Sequence, residues 1–370
     1  MRELRRLAAV LCLGVLTSFA ATAQILIGQT TGLTGPAAAG ANENVLGAKL
    51  WFDRVNASGG IGGRRIELVT LDDRFEPARA AENALRLIMV RQVTALFLNR
   101  GTPHTEAIRP MLAQYQVPLV APSTGAMLLH KPVDPWIFNV RAPYQREAEK
   151  LVHHLASIGM SRIGLAHVDD SFGADAAAGA TRGFEHAKLK PVFVETFDRA
   201  RPVFSALVQK AKAGDVQAVV FIGTAEAVSE GTQALRAAGS RAQIGTLSNN
   251  ASSGFVKAMG EHASGTIVAQ VFPSERALST SMVREASELA RAAGINELTP
   301  AMIEGFAGAR VLVEGLRRAG PNPTRQSLRQ ALEGFQRVDL GGLEISYGPA
   351  DHSGLDYTEL SIISDGRFRR

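Results

Sequence analysis

Cysteine is nearly absent from this chain of 370 residues, which has only Cys12. A single cysteine excludes an internal disulfide framework and a zinc site built on thiolates. A strong excess of one charge is also absent, since 40 lysines and arginines face 35 aspartates and glutamates. The net charge of +5 is too small and too dispersed to predict nucleic-acid binding. Solenoid-length repeats and low-complexity tracts are lacking as well.

The first 23 residues have the pattern of a secretory signal peptide. Three arginines precede an apolar run at 7–19, which is shorter than the ~20 residues that span a bilayer, and Ala21-Thr22-Ala23 follows. This pattern predicts cleavage between Ala23 and Gln24 and a periplasmic location. Because Cys12 lies inside the apolar run, a lipid-anchored form is not expected.

Short apolar runs alternate with helical patterns over most of the remaining chain. Each run is typical of a buried parallel strand. The runs lie at 25–27, 66–71, 95–98, 163–168 and 218–222. This βαβα order predicts an α/β fold. Later helical patterns lie at 278–293, 302–319 and 324–332, and two more strands are expected at 343–346 and 358–363.

The alternation falls into two blocks, which predict two doubly wound parallel-sheet lobes. We expect residues 24–142 with 273–345 in the first lobe and residues 143–272 with 346–370 in the second. Several crossings between the lobes would form a hinge. The carboxyl ends of the strands in both sheets would then face one cleft, which is the expected binding site.

Several motifs, taken in order, are similar to those of a known family. They include IGQTTGLTGP at 27–36, VNASGGIGG at 55–63, VPLVAPSTGA at 117–126 and DDSFG at 169–173. With these motifs the chain resembles the type I periplasmic binding proteins of the leucine/isoleucine/valine-binding kind. The resemblance implies a non-enzymatic, monomeric receptor that closes like a clamshell, without cofactor or metal. It also implies delivery of a small carboxylate to an inner-membrane ABC permease and its ATPase.

Two loops that follow strands of the first block carry candidate ligand-binding residues. One offers the hydroxyls of Thr102 and Thr105, and the other offers Ser123, Thr124 and the backbone around Gly125. Such loops lead into helices whose first N–H groups are unpaired, so together they could cradle a carboxylate. The alternative is that these hydroxyls are ordinary helix N-caps. The resemblance favours binding, because Thr102, Ser123 and Gly125 align with ligand-binding positions of the amino-acid receptors.

Four further residues are candidates. Arg100 could grip a carboxylate with two hydrogen bonds, although a solvated loop charge is the alternative. The resemblance places Phe172 where an aromatic ring often covers the ligand, unless it is simply core, and places Thr224 near another contact. Ser248 stands where branched-chain amino-acid receptors have a glutamate for the ligand's ammonium. A branched-chain or other amino acid, an aromatic or keto acid, and an amide all remain open as ligands.

Other readings of the sequence are weaker. The glycines at 59–63 predict a tight turn with positive φ rather than a nucleotide-binding loop. Asp72 and Asp73 are expected to be a cap and a solvated charge rather than a metal pair. A sensor that feeds a chemoreceptor or kinase is the alternative function. A secreted hydrolase is a third, which the absence of a G-x-S-x-G motif disfavours.

Overall fold

The computed structural model describes residues 24–370, so the predicted signal peptide at 1–23 and its cleavage site lie outside the described residues. Two lobes, each an α/β layer structure, make up this part of the chain. Among residues 24–370, no helix is both long and apolar enough to cross a membrane.

The first lobe contains a parallel five-stranded sheet with the order β2-β1-β3-β4-β5. Its strands are β1 (Ile25–Thr31), β2 (Ile66–Asp72), β3 (Ala95–Phe97), β4 (Leu119–Val120) and β5 (Ile137–Phe138). Its early helices are α1 (Ala38–Ala57), α2 (Pro77–Met89) and α3 (Thr102–Tyr115). Successive β1 side chains point to opposite faces, so Ile25 and Ile27 pack on the α1 side and Leu26 packs on the α2 and α3 side. Helices therefore cover both faces of the sheet.

The second lobe contains a seven-stranded sheet with the order β14-β13-β10-β9-β8-β6-β7. Its strands are β6 (Ile163–Val168), β7 (Val194–Phe197), β8 (Ala218–Ile222), β9 (Gln243–Thr246), β10 (Ile267–Gln270), β13 (Glu359–Ser364) and β14 (Arg367–Arg369). Its helices are α4 (Tyr144–Ser157), α5 (Ser171–His186), α6 (Ser205–Ala213), α7 (Ala225–Ala237) and α8 (Ser253–Met259). Since β13 and β14 run antiparallel to their neighbours, this sheet is parallel except at one edge.

Three helices after β10 return to the first lobe. They are α9 (Ser281–Ala292), α10 (Pro300–Arg318) and α11 (Arg325–Glu333), and their buried residues join the core around α1. The chain thus crosses between the lobes at 139–143, after β10, and before β13, as the predicted multi-crossing hinge requires. The sequence-based lobe boundaries remain predictions. Tyr347 and Leu355 pack in the first lobe's core, which favours placing the last boundary after Leu355.

Two local predictions have clear outcomes. The glycine turn between α1 and β2 is confirmed, because Gly59, Gly60, Gly62 and Gly63 have φ values of 95°, 71°, 56° and 79°. The strand expected at 343–346 is shorter. It is β12 (Glu344–Ile345), which pairs only with β11 (Val338–Asp339) in a small antiparallel ribbon.

Candidate functional site

A cavity lies between the lobes, at the carboxyl ends of strands from both sheets. The first lobe lines it with Ala37, Gly40, Phe75, Arg100, Gly101, Thr102 and Ser123. The second lobe lines it with Tyr144, Phe172, Arg199, Thr224, Ala225, Asn249 and Asn250. Its volume of about 30 Å³, room for roughly two water molecules, lies within about 450 Å³ of space that reaches solvent. The enclosed free space is therefore smaller than an amino acid.

Arg100 forms much of the cavity wall on the first lobe. Its Nη1 donates to Asn44 Oδ1 at 3.0 Å and to Ser123 Oγ at 3.2 Å. Its Nη2 reaches the other lobe and donates to the backbone oxygen of Asn249 at 2.5 Å. A Cβ at Gly40 would lie 2.8 Å from this Nη2, so the glycine makes room for the guanidinium. Arg100 is 7% exposed, and the alternative of a solvated loop charge is therefore wrong.

The hydroxyls predicted on the first lobe form a buried set rather than helix caps. Thr102 is the first residue of α3, its N-cap is Gly101, and no side chain caps that helix. The Oγ1 atoms of Thr102 and Thr124 are 2.7 Å apart, and Thr105 Oγ1 donates to the oxygen of Gly101 at 2.8 Å. Ser123 accepts from Arg100. The N-cap alternative is thus wrong for Thr102, Ser123 and Thr124.

Two predicted residues of the first lobe lie one step behind the cavity. Thr124 is fully buried and reaches the lining only through its hydroxyl bond to Thr102. Gly125 accepts from the backbone N–H of Tyr144 at 2.7 Å, and a Cβ there would lie 2.7 Å from the oxygen of Ala142. Gly125 thereby allows the close backbone approach that positions Tyr144 in the cavity wall.

Phe75 lines the cavity, and the acidic pair at the end of β2, Asp72 and Asp73, lies just before it in the sequence. Asp72 accepts from the backbone N–H groups of Leu33 and Thr34 in the loop after β1, but it caps neither neighbouring helix, so the expectation of a cap is wrong for Asp72. Asp73 is fully buried, and it accepts from Thr30 Oγ1 at 3.0 Å and from the N–H of Phe75 at 2.9 Å. The expectation of a solvated charge is therefore wrong for Asp73. Burial raises the pKa of this carboxyl to about 6.

The second lobe presents Phe172 at the start of α5. Asp170 is the N-cap of this helix, and its carboxylate accepts from the N–H groups of Phe172 and Gly173 at 2.9 and 3.1 Å. Phe172 packs edge-on against Tyr144 with 4.8 Å between ring centroids. It belongs to the core of the second lobe and also lines the cavity, and its contact with a ligand stays a prediction.

Arg199 comes from the loop after β7 and also lines the cavity. Its guanidinium forms an ion pair with Asp170 and lies 5.1 Å from the centroid of Phe75. Phe75 stacks on His104 at 4.3 Å, and burial lowers the pKa of His104 to about 4. His104 is therefore neutral at neutral pH, and the charged groups on this side of the cavity are the paired Arg199 and Asp170.

Thr224 and Ser248 have different positions. Thr224 caps α7 through a bond from the N–H of Ala227 at 3.3 Å, and it also lines the cavity. Ser248 does not line it. Its Oγ accepts from Arg141 at 2.6 Å, and its N–H donates to Glu147 at 2.8 Å. The neighbouring Asn249 lines the cavity in its place.

Ser248 contacts a buried charge cluster at the hinge, the Arg141 cluster, which consists of Arg141, Glu147 and Glu304. Arg141 is on the first crossing segment and pairs with Glu147 of the second lobe and, at 3.7 Å, with Glu304 of the first. Burial disfavours its charge, but Tyr144, Glu147 and Glu304 hold the pKa of Arg141 above its usual value. Burial raises the pKa of Glu147, and Arg141 opposes this shift.

The lobes touch across the mouth of the cavity. Glu43 of α1 accepts from the N–H groups of Ser253 and Gly254 on the second lobe, each at 3.2 Å. Glu106 of α3 accepts from the hydroxyl of Ser171. A Cβ at Gly254 would lie only 2.1 Å from the Cβ of Ala39. These contacts describe a closed arrangement of the two lobes.

The sequence missed several lining residues, chiefly Phe75, Tyr144, Arg199 and Asn249. Phe75 and Asn249 each lie within three residues of a position that drew attention, but no motif marks them. Arg199 follows β7, whose sequence has no apolar run that would predict a strand, and Tyr144 begins α4 next to the first crossing segment. Within residues 24–370, no three His, Cys, Asp or Glu side chains come together as a metal site.

Comparisons with known proteins agree with this architecture. A model of a family described as periplasmic binding protein matches residues 24–358. The chain is 23% identical over 332 residues to the Leu/Ile/Val-binding protein homolog 3 of Brucella melitensis, covering 89% of this chain and 88% of the relative.

Solved structures give the same result. A substrate-binding periplasmic protein of Ralstonia solanacearum has a TM-score of 0.84 and 32% identity, covering 92% of this chain and 97% of the other. A possible leucine/isoleucine/valine-binding protein of Rhodopirellula baltica has a TM-score of 0.87 and 26% identity, covering 95% and 97%. The chain belongs to the periplasmic binding protein family.

Proposed function

We propose that this protein is the periplasmic solute-binding component of an ABC importer, and that it captures a small carboxylate by closing its lobes. The observation that carries the proposal is a cavity lined equally by both lobes at the carboxyl ends of their strands. A ligand that contacts both lobes binds the closed form better than the open one. That difference in affinity is what drives closure.

Five predicted residues line the cavity and are assigned to ligand contact: Arg100, Thr102, Ser123, Phe172 and Thr224. The other three, Thr124, Gly125 and Ser248, support the lining through hydrogen bonds and close packing. The protein acts without catalysis, as a monomer exported by its signal peptide, and the closed form engages the inner-membrane permease and its ATPase. Membership of the periplasmic binding protein family supports this role.

A thermal-shift screen of residues 24–370 tests the proposal. The panel contains branched-chain and aromatic amino acids, plain aromatic and keto acids, short amides, and neutral sugars as controls. We expect at least one carboxylate to raise the melting temperature by several degrees at saturation, because it binds only the folded state. Deleting the gene should then abolish uptake of that compound. A panel in which no compound raises the melting temperature would contradict the proposal.

A further inference from the structure

The charges around the cavity are one-sided. Arg100 and Arg199 both line it, and among the lining residues of the described chain there is no aspartate or glutamate. Arg100 donates only to neutral acceptors, which are the side chains of Asn44 and Ser123 and the backbone of Asn249. No ion pair compensates its buried charge within residues 24–370. An anion in the cavity would do so.

Arg199 differs from Arg100 because Asp170 already neutralises it. Asp170 also accepts from two N–H groups at the start of α5, so both of its carboxylate oxygens already have hydrogen-bond donors. The Nη1 of Arg199 is buried and lacks a hydrogen-bond partner in the described part of the protein. This donor suits a second, uncharged acceptor on the ligand. The net excess at the cavity is therefore one positive charge, which matches a single carboxylate.

A ligand ammonium would find no carboxylate on the cavity lining. Glu147 and Glu304 share the single guanidinium of Arg141, and although Glu304 is paired only at 3.7 Å and its Oε1 has no hydrogen-bond partner within residues 24–370, neither acid lines the cavity. The Oδ1 of Asn249 has no partner among residues 24–370, but a neutral amide oxygen does not compensate a desolvated ammonium. The loss of the family's glutamate at Ser248 is thus not repaired at the cavity surface.

The aromatic rings do not offer an alternative cation site. Phe75 carries Arg199 over its ring and stacks on His104. Tyr144 carries Arg141 over its ring at 4.4 Å. Phe172 faces Tyr144 edge-on. Rings whose faces already hold guanidinium groups attract a further cation poorly, but their remaining surface packs well against an apolar or flat ligand body.

We propose that the ligand is an ammonium-free monoanion, with one carboxylate, an apolar or aromatic body and a second uncharged acceptor, and that Arg100 selects it. This inference rests on the proposed function and narrows its ligand class. When the lobes close on the ligand, Arg100 donates to the carboxylate instead of to the backbone oxygen of Asn249. Thr102 and Ser123 lie beside the carboxylate, and the second acceptor meets Arg199 Nη1.

Calorimetric titration of residues 24–370 with matched pairs tests the inference. The probes are phenylpyruvate against L-phenylalanine and 4-methyl-2-oxopentanoate against L-leucine. Within each pair, the first compound has an oxo group where the amino acid has an ammonium group. We expect the oxo acid of at least one pair to bind about 30-fold more tightly or better, because only the amino acid buries an unpaired ammonium.

Variants of Arg100 test whether this residue binds the carboxylate of the oxo acid. Arg100→Gln should weaken oxo-acid binding by about 30-fold or more, since it removes a buried charged partner. Arg201→Gln, an exposed arginine with the same charge change, should leave it unaltered. If Arg100→Gln does not fold, Arg100→Lys keeps the charge but loses the two-pronged geometry and should still weaken binding.

The contrary outcomes separate the inference from the proposed function. Amino acids that bind as tightly as their oxo acids would overturn the inference and leave the function standing. Glu304→Gln would then show whether Glu304 is the acid that replaces the family's glutamate. Binding of neither pair, with a thermal shift only from an amide or an amino acid elsewhere in the panel, would also overturn it. Only the lack of any shift in the whole panel would overturn both.

Discussion

Asp73 connects the end of β2 to the cavity wall, because its buried carboxylate accepts a hydrogen bond from the backbone N–H of Phe75. Its pKa is raised to about 6 by burial, whereas an unfolded aspartate titrates near its ordinary value of 3.8. Below pH 4 the folded and unfolded states both hold the proton. Between pH 4 and 6 the unfolded state loses it first, so the free energy of unfolding falls as the pH rises through this window.

Asp73→Asn should remove this loss. We expect the free energy of unfolding of the unmodified protein to fall, relative to the variant, by on the order of 2 kcal/mol between pH 4 and 7. Urea denaturation at several pH values measures it. Asp53→Asn, which changes an exposed aspartate on α1, is the control. Parallel pH profiles for Asp73→Asn and the unmodified protein would contradict the role of Asp73.

The Arg141 cluster should contribute strongly to stability. Replacing Glu147 by glutamine keeps its volume but leaves the fully buried Arg141 with only the more distant Glu304, so we expect the free energy of unfolding to drop by about 3 kcal/mol. Glu76→Gln breaks the pair with Arg79, in which both side chains are roughly half exposed, and should cost less than about 1 kcal/mol. Equal losses of unfolding free energy in the two variants, measured by urea denaturation, would contradict a large contribution of the Arg141 cluster to stability.

At the scale of elements, β1, β2, β3, β6 and β8 were predictable because their apolar runs are short and flanked by helical patterns, whereas strands without such a run, β7 among them, were not predicted. The contact of α10 with α1 could not be predicted from the sequence. The Cβ of an alanine at Gly47 would lie 1.9 Å from the oxygen of Met302, and one at Gly305 would lie 1.9 Å from the oxygen of Asn44. Glycines on both helices let the backbones touch, but the two helices are about 250 residues apart in the sequence, and no local pattern pairs them.

Gly254 tests the contact between α8 and α1 that accompanies closure. An added Cβ at this position meets Ala39 of the other lobe, so Gly254→Ala should hold the lobes apart without unfolding either one. Alanine also favours a helix over glycine, by up to about 1 kcal/mol, so α8 itself should not weaken. Gly334→Ala, where a Cβ meets atoms only at 3.5 Å, is the matched control.

Spin labels measure this effect cleanly, because residues 24–370 contain no native cysteine. Cysteines in place of the exposed Lys49 on α1 and Lys257 on α8 report the distance between the lobes. We expect Gly254→Ala to lengthen that distance and to weaken ligand binding at least tenfold. A distance distribution identical to that of the unmodified protein would mean that the contact does not limit closure.

At the scale of the whole molecule, the sequence predicted the two-lobed α/β fold and five of the fourteen residues that line the cavity. Arg100, Thr102 and Ser123 follow strands, so strand-end reasoning found them. Arg199 follows β7, a partly exposed strand without an apolar run, and Tyr144 begins α4 beside the first crossing segment, so no strand-end pattern marks either residue. Arg100 and Ser123 follow neighbouring strands of the same lobe, but whether the Ser123 hydroxyl caps a helix or accepts from Arg100 depends on side-chain geometry that the sequence does not give.

The most direct test is the distance between labels at Lys49→Cys and Lys257→Cys, measured with and without the compound that gives the largest thermal shift. Closure around a ligand predicts a broader or longer distribution without the compound, and a single short distance, consistent with the contact between Glu43 and Gly254, at saturation. A distribution that the bound compound leaves unchanged would contradict capture by lobe closure.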